Sequence, residues 1–300
     1  MKAEFINEFL SLNQKDFRVL AGIERLMITQ EYPRVQELPK ETGYSNVYIQ
    51  KKLRSLHALN LIEIKRKYDE YYETALNFNG YDILAFNALV KKGLVSSLGH
   101  KIGEGKESEI FTVQNDEKKI GVIKIHRLGK GNFRTYKKLR DYLAIKHHSS
   151  SLYNSRLAAQ HENNSLKKVE GIIPVPKVWG ANRHCLLMDY IDGIELYKCK
   201  RIKKEYLQDL YENLLQIMKN MIEIGVIHGD LSPYNILVSF DSIRDKYLPY
   251  IIDWPQSINI NHPNARDILS LDVKNIIEFF AKEISIPVQS IDKIVSDLMK

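Results

Sequence analysis

The chain has 300 residues, of which 44% are hydrophobic and 27% charged, a composition typical of globular proteins of about two domains. No apolar run approaches the ~18 residues of a membrane span, and Met1 to Leu10 lacks the order of a signal peptide. Two cysteines, Cys185 and Cys199, exclude a disulfide framework and a cysteine-based zinc site. We therefore expect a cytoplasmic protein without a membrane partner. Its net charge of +7 favours polyanionic partners, nucleic acid above all.

The first third of the chain shows a pattern of three helices and a hairpin. Apolar residues recur at helical spacing from Asp16 to Met27, a short helix follows, and Ser45 is a suitable N-cap for the third helix. Two short strands come next, at 61–64 and 71–76, with charged residues between them. This order predicts a winged helix-turn-helix, in which the third helix is the one that enters a groove.

The third predicted helix is the candidate nucleic-acid contact. It carries Lys51, Lys52 and Arg54, and no acidic residue occurs from Thr42 to Ile62. We expect these three cations to contact phosphates. A winged helix that docks a protein, or serves as a rigid spacer, would leave the same side chains merely solvated, so that alternative stays open.

The pattern changes from helices to strands after Gly93. A linker helix precedes this point, and short strands alternate with helices after it. We predict an α+β protein with two domains: a winged-helix domain with its linker helix over 1–92, and a second domain over 93–300.

A glycine-rich turn and a lysine-bearing strand predict a phosphate-binding region in the second domain. In the turn, Gly103 and Gly105 let backbone N–H groups approach phosphate oxygens, while Lys106 and Ser108 add donors. Lys124 follows Val-Ile on an apolar strand, similar to the kinase strand whose lysine holds the α- and β-phosphates of ATP. Lys124 is therefore a candidate catalytic and nucleotide-binding residue.

Two further predictions depend on order along the chain. A lysine among apolar residues needs a counter-charge, and Glu162 on the following helix is the expected partner of Lys124. A later apolar strand has the order of one that enters a hinge, where Met188 would close the back of an adenine pocket. Backbone groups of Asp189 and Ile191 would then pair with the purine edge.

The segment from Lys124 to His148 is strongly basic, with eight Lys or Arg residues and one acidic residue. Two interpretations are open for it. The segment is either a solvated loop or helix face, or a mobile segment that meets phosphates of a nucleotide or of RNA.

The strongest chemical motif is His228-Gly-Asp-Leu-Ser-Pro-Tyr-Asn235, which an apolar strand follows. Phosphoryl transfer from ATP needs a carboxylate that orients and deprotonates the acceptor hydroxyl, and a group that holds the metal on the phosphates. Asp230 and Asn235 have the spacing of the kinase catalytic loop, in which one turn brings both side chains to a pocket. Asp230 is the candidate catalytic carboxylate and Asn235 a candidate metal ligand.

A second carboxylate is expected at the end of a neighbouring strand, and Asp253 follows the apolar run Tyr250-Ile-Ile. Mg²⁺ prefers oxygen ligands and combines one or two protein groups with phosphates and water. Asn235 and Asp253 therefore predict a site for Mg²⁺, or alternatively Mn²⁺, with ATP as the nucleotide. A cap at the strand end is the structural alternative for Asp253.

Together these motifs resemble the RIO family of atypical protein kinases, and within it the second subfamily, which bears an N-terminal winged helix. The resemblance covers nearly the whole chain. It rests on Gly105-Lys-Glu-Ser108, Lys124-Ile-His-Arg-Leu-Gly129, Ser155-Arg-Leu-Ala-Ala159, His228-Gly-Asp-Leu-Ser232, Asp253-Trp-Pro-Gln256, His262-Pro-Asn-Ala265 and Asp272-Val-Lys-Asn-Ile276. Trp254 stands where the family more commonly has Phe.

The resemblance implies a trimmed bilobal kinase-like domain, with an N-lobe at about 93–188 and a C-lobe at about 192–300. It implies serine/threonine kinase or ATPase activity, serine autophosphorylation, and a role in maturing the small ribosomal subunit. The partner would be the pre-small-subunit particle or its rRNA, and a monomer is favoured. The family often has a phosphorylatable residue in the loop after Arg127, where Thr135 is the nearest hydroxyl.

Two other classes of function stay open at this point. A small-molecule phosphotransferase of the aminoglycoside or choline kinase type also uses His-Gly-Asp, a later Asn and an Ile-Asp-Trp strand. The winged helix and the glycine-rich loop argue against it. A winged-helix regulator that only senses nucleotide would not need to retain Asp230. The sequence leaves the physiological substrate open, as it does the choice between kinase and ATPase.

Overall fold

A computed structural model of the chain describes residues 3–66, 72–129 and 150–300. The chain divides into two compact units, which are Met1–Ala159 with Ala181–Leu186, and Gln160–Gly180 with Leu187–Lys300. The tip of the predicted wing, most of the basic segment and Thr135 lie outside the described residues. No helix in the described ranges is long and apolar enough to cross a membrane.

The first unit begins with the predicted winged helix. Its elements are α1 (Ala3–Ser11), α2 (Gln14–Leu26), a 3₁₀ turn (Val35–Glu37), α3 (Leu38–Thr42), α4 (Asn46–Ala58), β1 (Ile62–Arg66), β2 (Tyr72–Leu76) and α5 (Phe78–Val90). The hairpin strands β1 and β2 pair antiparallel, with Ile62 opposite Leu76. Ser45 caps α4 by accepting a hydrogen bond from the Tyr48 N–H, as expected. Helix α1 had no counterpart among the predicted elements.

Side chains at helical spacing form the core of the winged helix. Leu20, Ile23, Leu38, Ile49 and Leu56 have no solvent exposure. Each buried side chain of this kind contributes roughly 1.5–3 kcal/mol relative to an exposed one. The three helices are therefore held together mainly by these apolar contacts.

Five strands form the sheet that follows the winged helix. They are β3 (Ser97–Glu104), β4 (Ser108–Gln114), β5 (Ile120–His126), β6 (Val178–Asn182) and β7 (Cys185–Asp189), in the order β3-β4-β5-β7-β6. Strand β4 pairs antiparallel with β3 and β5. Helix α6 (Ser151–Val169) lies between β5 and β6 in the sequence. The change from helices to strands after Gly93 is as predicted.

The second unit is built from helices and short strand pairs, which completes the predicted α+β class. Its elements include β8 (Ile194–Glu195), a 3₁₀ helix (Leu196–Arg201), α7 (Lys204–Glu223), β9 (Val226–Ile227), β10 (Ile236–Asp241), β11 (Lys246–Ile251), β12 (Ile258–Asn259), α8 (Ala265–Glu278), a π-helical turn (Phe279–Ile284) and α9 (Ile291–Leu298). The strands form two small sheets, β11-β10-β8 and β12-β9. The apolar faces of α7 and α8 are buried around them.

Both cysteines are free and buried. Burial raises the pKa of the Cys185 thiol well above its ordinary value, and it raises the pKa of Cys199 to about 11. Both side chains are therefore neutral thiols at physiological pH.

Candidate active site

The loop 228–235 connects β9 to β10 and brings Asp230 and Asn235 together. Asn235 donates from Nδ2 to the backbone oxygen of Asp230 at 2.8 Å, and Nδ2 lies 3.4 Å from Asp230 Oδ2. Gln256 Nε2 is also 3.4 Å from that carboxylate oxygen. Because Asn235 donates through its nitrogen, its amide oxygen is the atom that this orientation offers to a cation.

Asp272, a residue of α8, accepts hydrogen bonds from the backbone of the loop. One carboxylate oxygen accepts from the Gly229 N–H at 2.8 Å and the other from the Leu231 N–H at 2.9 Å. Asn275, one turn further along α8, donates to the Leu231 carbonyl at 3.0 Å. Asp272 is only 2% exposed. A buried aspartate on the apolar face of a helix was the signal in the sequence that could have revealed this anchor.

The environment of Asp272 perturbs its ionisation. The pKa of Asp272 is raised to about 7, chiefly by burial and also by the charge of Asp230, against the opposing effect of the two backbone N–H donors. The proton affinity of this carboxyl is thus coupled to the conformation of the loop that it holds.

Gly229 is the position at which the kinase loop more commonly has arginine. Its φ is +80°, in the region that glycine adopts readily. A Cβ at this position would lie 2.4 Å from the backbone oxygen of Gln256. Glycine is therefore required here by both the backbone conformation and the close approach of the neighbouring segment.

His228 joins the loop to the end of β11. Its Nε2 lies 3.0 Å from the Ile252 carbonyl, to which it donates, and its ring packs edge-on against Trp254. Trp254 is completely buried, and its indole N–H donates to the Ile251 carbonyl at 3.1 Å. The Ile252 N–H donates to Asn235 O at 3.0 Å. These bonds fix the loop against the segment that carries Asp253.

Asp253 lies in a left-handed turn two residues after the end of β11, with φ of +68°. Aspartate tolerates this region better than most residues. The next N–H, that of Trp254, donates to Glu162 Oε1 at 3.1 Å, and Glu162 is only 1% exposed. Glu162 therefore supports the turn that presents Asp253. Its predicted pairing with Lys124 joins residues of the two units and stays a prediction.

The donor set of the second unit suits magnesium held jointly with phosphates. Within the described ranges, no cluster of three or more His, Cys, Asp or Glu side chains could hold a metal by itself. The amide oxygen of Asn235 and the carboxylate of Asp253 would supply two hard oxygen ligands, a number that Mg²⁺ commonly takes from protein when phosphates provide others.

The predicted phosphate-binding residues lie on strands of the first unit. Gly103 and Lys124 lie on either side of Ile110 in the pairing of β3, β4 and β5. The turn between β3 and β4 is closed by a hydrogen bond from the Gly105 N–H to the Ser108 carbonyl at 2.9 Å. Lys124 is 4% exposed. The pairing therefore places Gly103, Ile110 and Lys124 in one row across the sheet, beside the glycine turn.

The hinge prediction needs one revision. Met188 is buried at the end of β7, as an adenine-pocket residue would be. However, the Asp189 N–H donates to the Lys177 carbonyl at 2.9 Å, and its side chain accepts from the Trp179 indole at 2.6 Å. Because this N–H already donates to Lys177, it is not available to a purine. The predicted purine contact of Asp189 is therefore limited to its carbonyl oxygen. For Ile191 the purine contact stays a prediction.

The three cations of α4 differ in their surroundings. Lys52 forms an ion pair with the buried Asp16 at 2.6 Å, so its charge is already neutralised, contrary to the expectation of a phosphate contact. Lys51 and Arg54 are exposed. Arg54 lines a groove of about 560 Å³ together with Gln50 and Tyr72. A nucleic-acid contact by α4 would therefore depend on Lys51 and Arg54.

The fold and the site together define a protein-kinase-like phosphotransferase. The defining features are the winged helix, the glycine turn, the lysine-bearing strand, and the His-Gly-Asp loop with its later Asn and Asp. Residues 109–294 match the model of the RIO domain, and residues 9–92 match that of the Rio2 N-terminal domain. The chain belongs to the RIO family of serine/threonine protein kinases, in its Rio2 branch. A Rio2 kinase has been solved with ADP and Mg²⁺, which are the metal and the class of nucleotide that the sequence predicts.

Three relatives show how far the similarity extends. The RIO-type kinase Rio2 of Methanocaldococcus jannaschii is 41% identical over 214 residues, which are 70% of this chain and 77% of that protein. The kinase rio2 of Dictyostelium discoideum is 36% identical over 273 residues, 90% of this chain and 50% of that protein. The Rio2 kinase of Chaetomium thermophilum, solved as an ADP/Mg²⁺-phosphoaspartate complex, has a TM-score of 0.81 at 30% identity and covers 97% of this chain and 88% of its own.

Proposed function

We propose that this kinase acts on the maturing small ribosomal subunit in the cytoplasm, with the pre-small-subunit particle or its rRNA as its partner. Membership of the Rio2 branch supports the proposal, and so does the exposed basic face of α4. Two buried free cysteines are consistent with a reducing compartment. For the chemistry, the observation that carries most weight is the hydrogen bond that holds Asn235 against Asp230 in one loop.

The predicted residues of the catalytic loop, the metal site and the phosphate loop each have a role in this proposal. Asp230 orients the acceptor hydroxyl and takes its proton, while Asn235 and Asp253 hold the metal. ATP with Mg²⁺ supplies the phosphoryl group and neutralises its charge when bound. Lys124 binds the α- and β-phosphates, and backbone N–H groups of the 103–108 turn contact the phosphate oxygens, with Lys106 and Ser108 as further donors.

The relative from Chaetomium thermophilum bears on the choice between kinase and ATPase, because it was solved as a phosphoaspartate complex. We propose that a carboxylate of this chain also accepts the phosphoryl group. A carboxylate oxygen attacks the γ-phosphorus and ADP leaves; water then hydrolyses the acyl phosphate, which releases phosphate and restores the carboxylate. Asp230 and Asp253 are the candidates. Hydroxylamine trapping followed by mass spectrometry would locate the modified residue, and a stable phosphoserine instead would favour kinase turnover.

We also propose a domain boundary near residue 92. The family model of the N-terminal domain ends at residue 92, and the RIO-domain match begins at residue 109. We assign 1–92 to the winged-helix domain with its linker helix, and 93–300 to the kinase domain, with lobes at about 93–188 and 192–300.

The test of the cellular role is the RNA that co-purifies with the native chain. Affinity purification followed by RNA sequencing should recover precursor small-subunit rRNA in excess over large-subunit rRNA. A matched chain with Lys51→Ala and Arg54→Ala should recover less. Equal recovery of both rRNAs by the parent chain would contradict a specific role in small-subunit maturation.

A further inference from the structure

Asp82 in α5 lies outside every motif described above, yet it is the centre of a buried ionic cluster. Its exposure is 2%. Arg127 donates to both carboxylate oxygens, from Nη1 at 3.0 Å and from Nη2 at 2.6 Å. His184, also buried, places Nε2 2.7 Å from the first of these oxygens. Burial of a carboxylate to this extent costs folding free energy unless hydrogen bonds and opposite charges compensate it. Arg127 and His184 provide this compensation.

Arg127 in turn holds the segment that follows the glycine turn. Its backbone N–H donates to the Glu107 carbonyl at 2.6 Å. Its Nε donates to Glu109 Oε2 at 3.0 Å. These two acceptors flank Ser108, the last of the predicted phosphate-loop residues. The guanidinium fork has a rigid planar geometry, so a bidentate partner on one side fixes the direction of the donor on the other.

We propose that Asp82 is a positioning residue for ATP binding, because through Arg127 it sets the position of the phosphate loop. The inference rests on the proposed role of residues 103–108 in phosphate binding. Asp82 belongs to the linker helix of the winged-helix domain. The winged-helix domain therefore contributes to nucleotide affinity, although it supplies no predicted nucleotide ligand.

A second ion pair provides a matched control for loss of packing between the winged-helix region and the sheet. Arg183, in the turn between β6 and β7, donates from Nε to Glu24 of α2 at 2.8 Å and from Nη1 to the Leu84 carbonyl of α5 at 3.2 Å. Its side-chain exposure of 17% is close to the 22% of Arg127. Arg183 also donates from Nη2 to the second carboxylate oxygen of Glu24 at 2.5 Å and from Nη1 to the adjacent Asn182 at 2.6 Å. This pair thus ties helices of the winged-helix region to the sheet without the contacts to residues 107 and 109.

The experiment compares Asp82→Asn, Arg127→Gln, their combination and Glu24→Gln in the full chain. Calorimetry with ATP and Mg²⁺ should show affinity weakened by about five- to thirtyfold in both cluster variants. The double variant should bind ATP no more weakly than the weaker-binding single variant, because both changes remove the same Asp82–Arg127 interaction. At saturating ATP the rate of autophosphorylation should change by less than about threefold, since the catalytic loop is untouched. Glu24→Gln should leave ATP affinity within about twofold of the parent.

The inference fails if folded Asp82→Asn binds ATP as tightly as Glu24→Gln. Should Asp82→Asn not fold, Arg127→Lys retains the charge but loses the fork. Amide hydrogen exchange of residues 103–109 should then be faster in Arg127→Lys than in Glu24→Gln, and equal exchange would overturn the inference. A parent chain that binds no ATP would contradict the proposed function itself, together with this inference.

Discussion

The catalytic loop and helix α4 are both candidate sites, but they are built in opposite ways. In the loop, Asp272 holds two backbone N–H groups, and Asn235 is bonded to Asp230. On α4, Lys51 and Arg54 are exposed. The loop is therefore fixed by buried partners, whereas α4 presents charges on side chains that remain adaptable.

This difference determines what a substitution should do. A buried polar group that loses its partner keeps the cost of desolvation, so single changes in the loop should have large effects. An exposed cation interacts through screened Coulomb forces, so single changes on α4 should have small effects that add together.

Replacement of Asp230 by Ala should lower single-turnover phosphotransfer by about 10²–10⁴-fold, the usual contribution of general-base catalysis. ATP affinity, measured by calorimetry, should change little, because Asp230 is not a predicted ligand of the nucleotide. Lys124→Ala should instead weaken ATP binding as well as turnover. Asp253→Asn should weaken metal-dependent ATP binding, and Asn tolerates the left-handed backbone at this position. Normal phosphotransfer by Asp230→Ala would refute the catalytic assignment, and loss of its ATP binding would assign Asp230 to the metal.

Replacement of Gly229 by Ala tests how tightly the loop is held. Gly171 is the matched control, because it has the same φ of +80° with nothing within 4 Å of its missing Cβ. Gly171→Ala should cost about 1 kcal/mol of unfolding free energy for the backbone conformation alone. Gly229→Ala should cost roughly 1–3 kcal/mol beyond this, because its Cβ would approach Gln256 O. Urea unfolding measures the loss of unfolding free energy in both variants. Equal losses would mean that the segment containing Gln256 shifts to make room for the added Cβ.

The raised pKa of Asp272 predicts a pH-dependent stability. The folded-state pKa of about 7 exceeds the ordinary value of 3.8, so the native state binds the proton more tightly than the unfolded chain. Stability contributed by this proton is present at low pH and is lost as pH rises from about 4 to 7, with a slope of up to ~1.4 kcal/mol per pH unit. Asp272→Asn should remove this slope from urea-unfolding data collected between pH 4 and 8. Parallel profiles for parent and variant would contradict the prediction.

The smallest effects are expected on α4. For the chain bound to structured RNA, Lys51→Ala with Arg54→Ala should flatten the slope of log K against log salt by about 1.4–1.8, or 0.7–0.9 per phosphate contact. Lys52→Ala is the control: it should leave this slope unchanged, because Lys52 already pairs with Asp16. A slope that the double variant does not change would assign the winged helix to protein docking.

The sequence was most informative where chemistry constrains spacing. Asp230, Asn235 and Asp253 were recognisable because a carboxylate, an amide and a strand-end carboxylate recur in one order whenever a loop must hold metal and acceptor. The winged helix was recognisable because its apolar residues recur at helical spacing, and its core is formed by those residues. Both signals are local, so one sequence suffices to find them.

The parts that could not be predicted are contacts between distant segments. Asp82 and Arg127 are 45 residues apart, and nothing in either local pattern indicates that they meet. Lys52 is a partial exception. It lies three residues after Ile49 and four before Leu56, both buried, so helical geometry places it at the edge of the core face. The position of Lys52 at the edge of the core could thus be predicted from the sequence, but its pairing with Asp16 could not.

The two buried cysteines have a practical consequence for measurements on this molecule. Maleimide and iodoacetamide reagents react with thiolates, and Cys185 and Cys199 are inaccessible thiols whose pKa values are raised by burial. The folded chain should therefore take up almost no label, and a single cysteine introduced at an exposed site should carry nearly all of a fluorophore. Site-specific fluorescence on this protein then requires no prior removal of its natural cysteines, and the appearance of two extra labelled thiols reports unfolding directly.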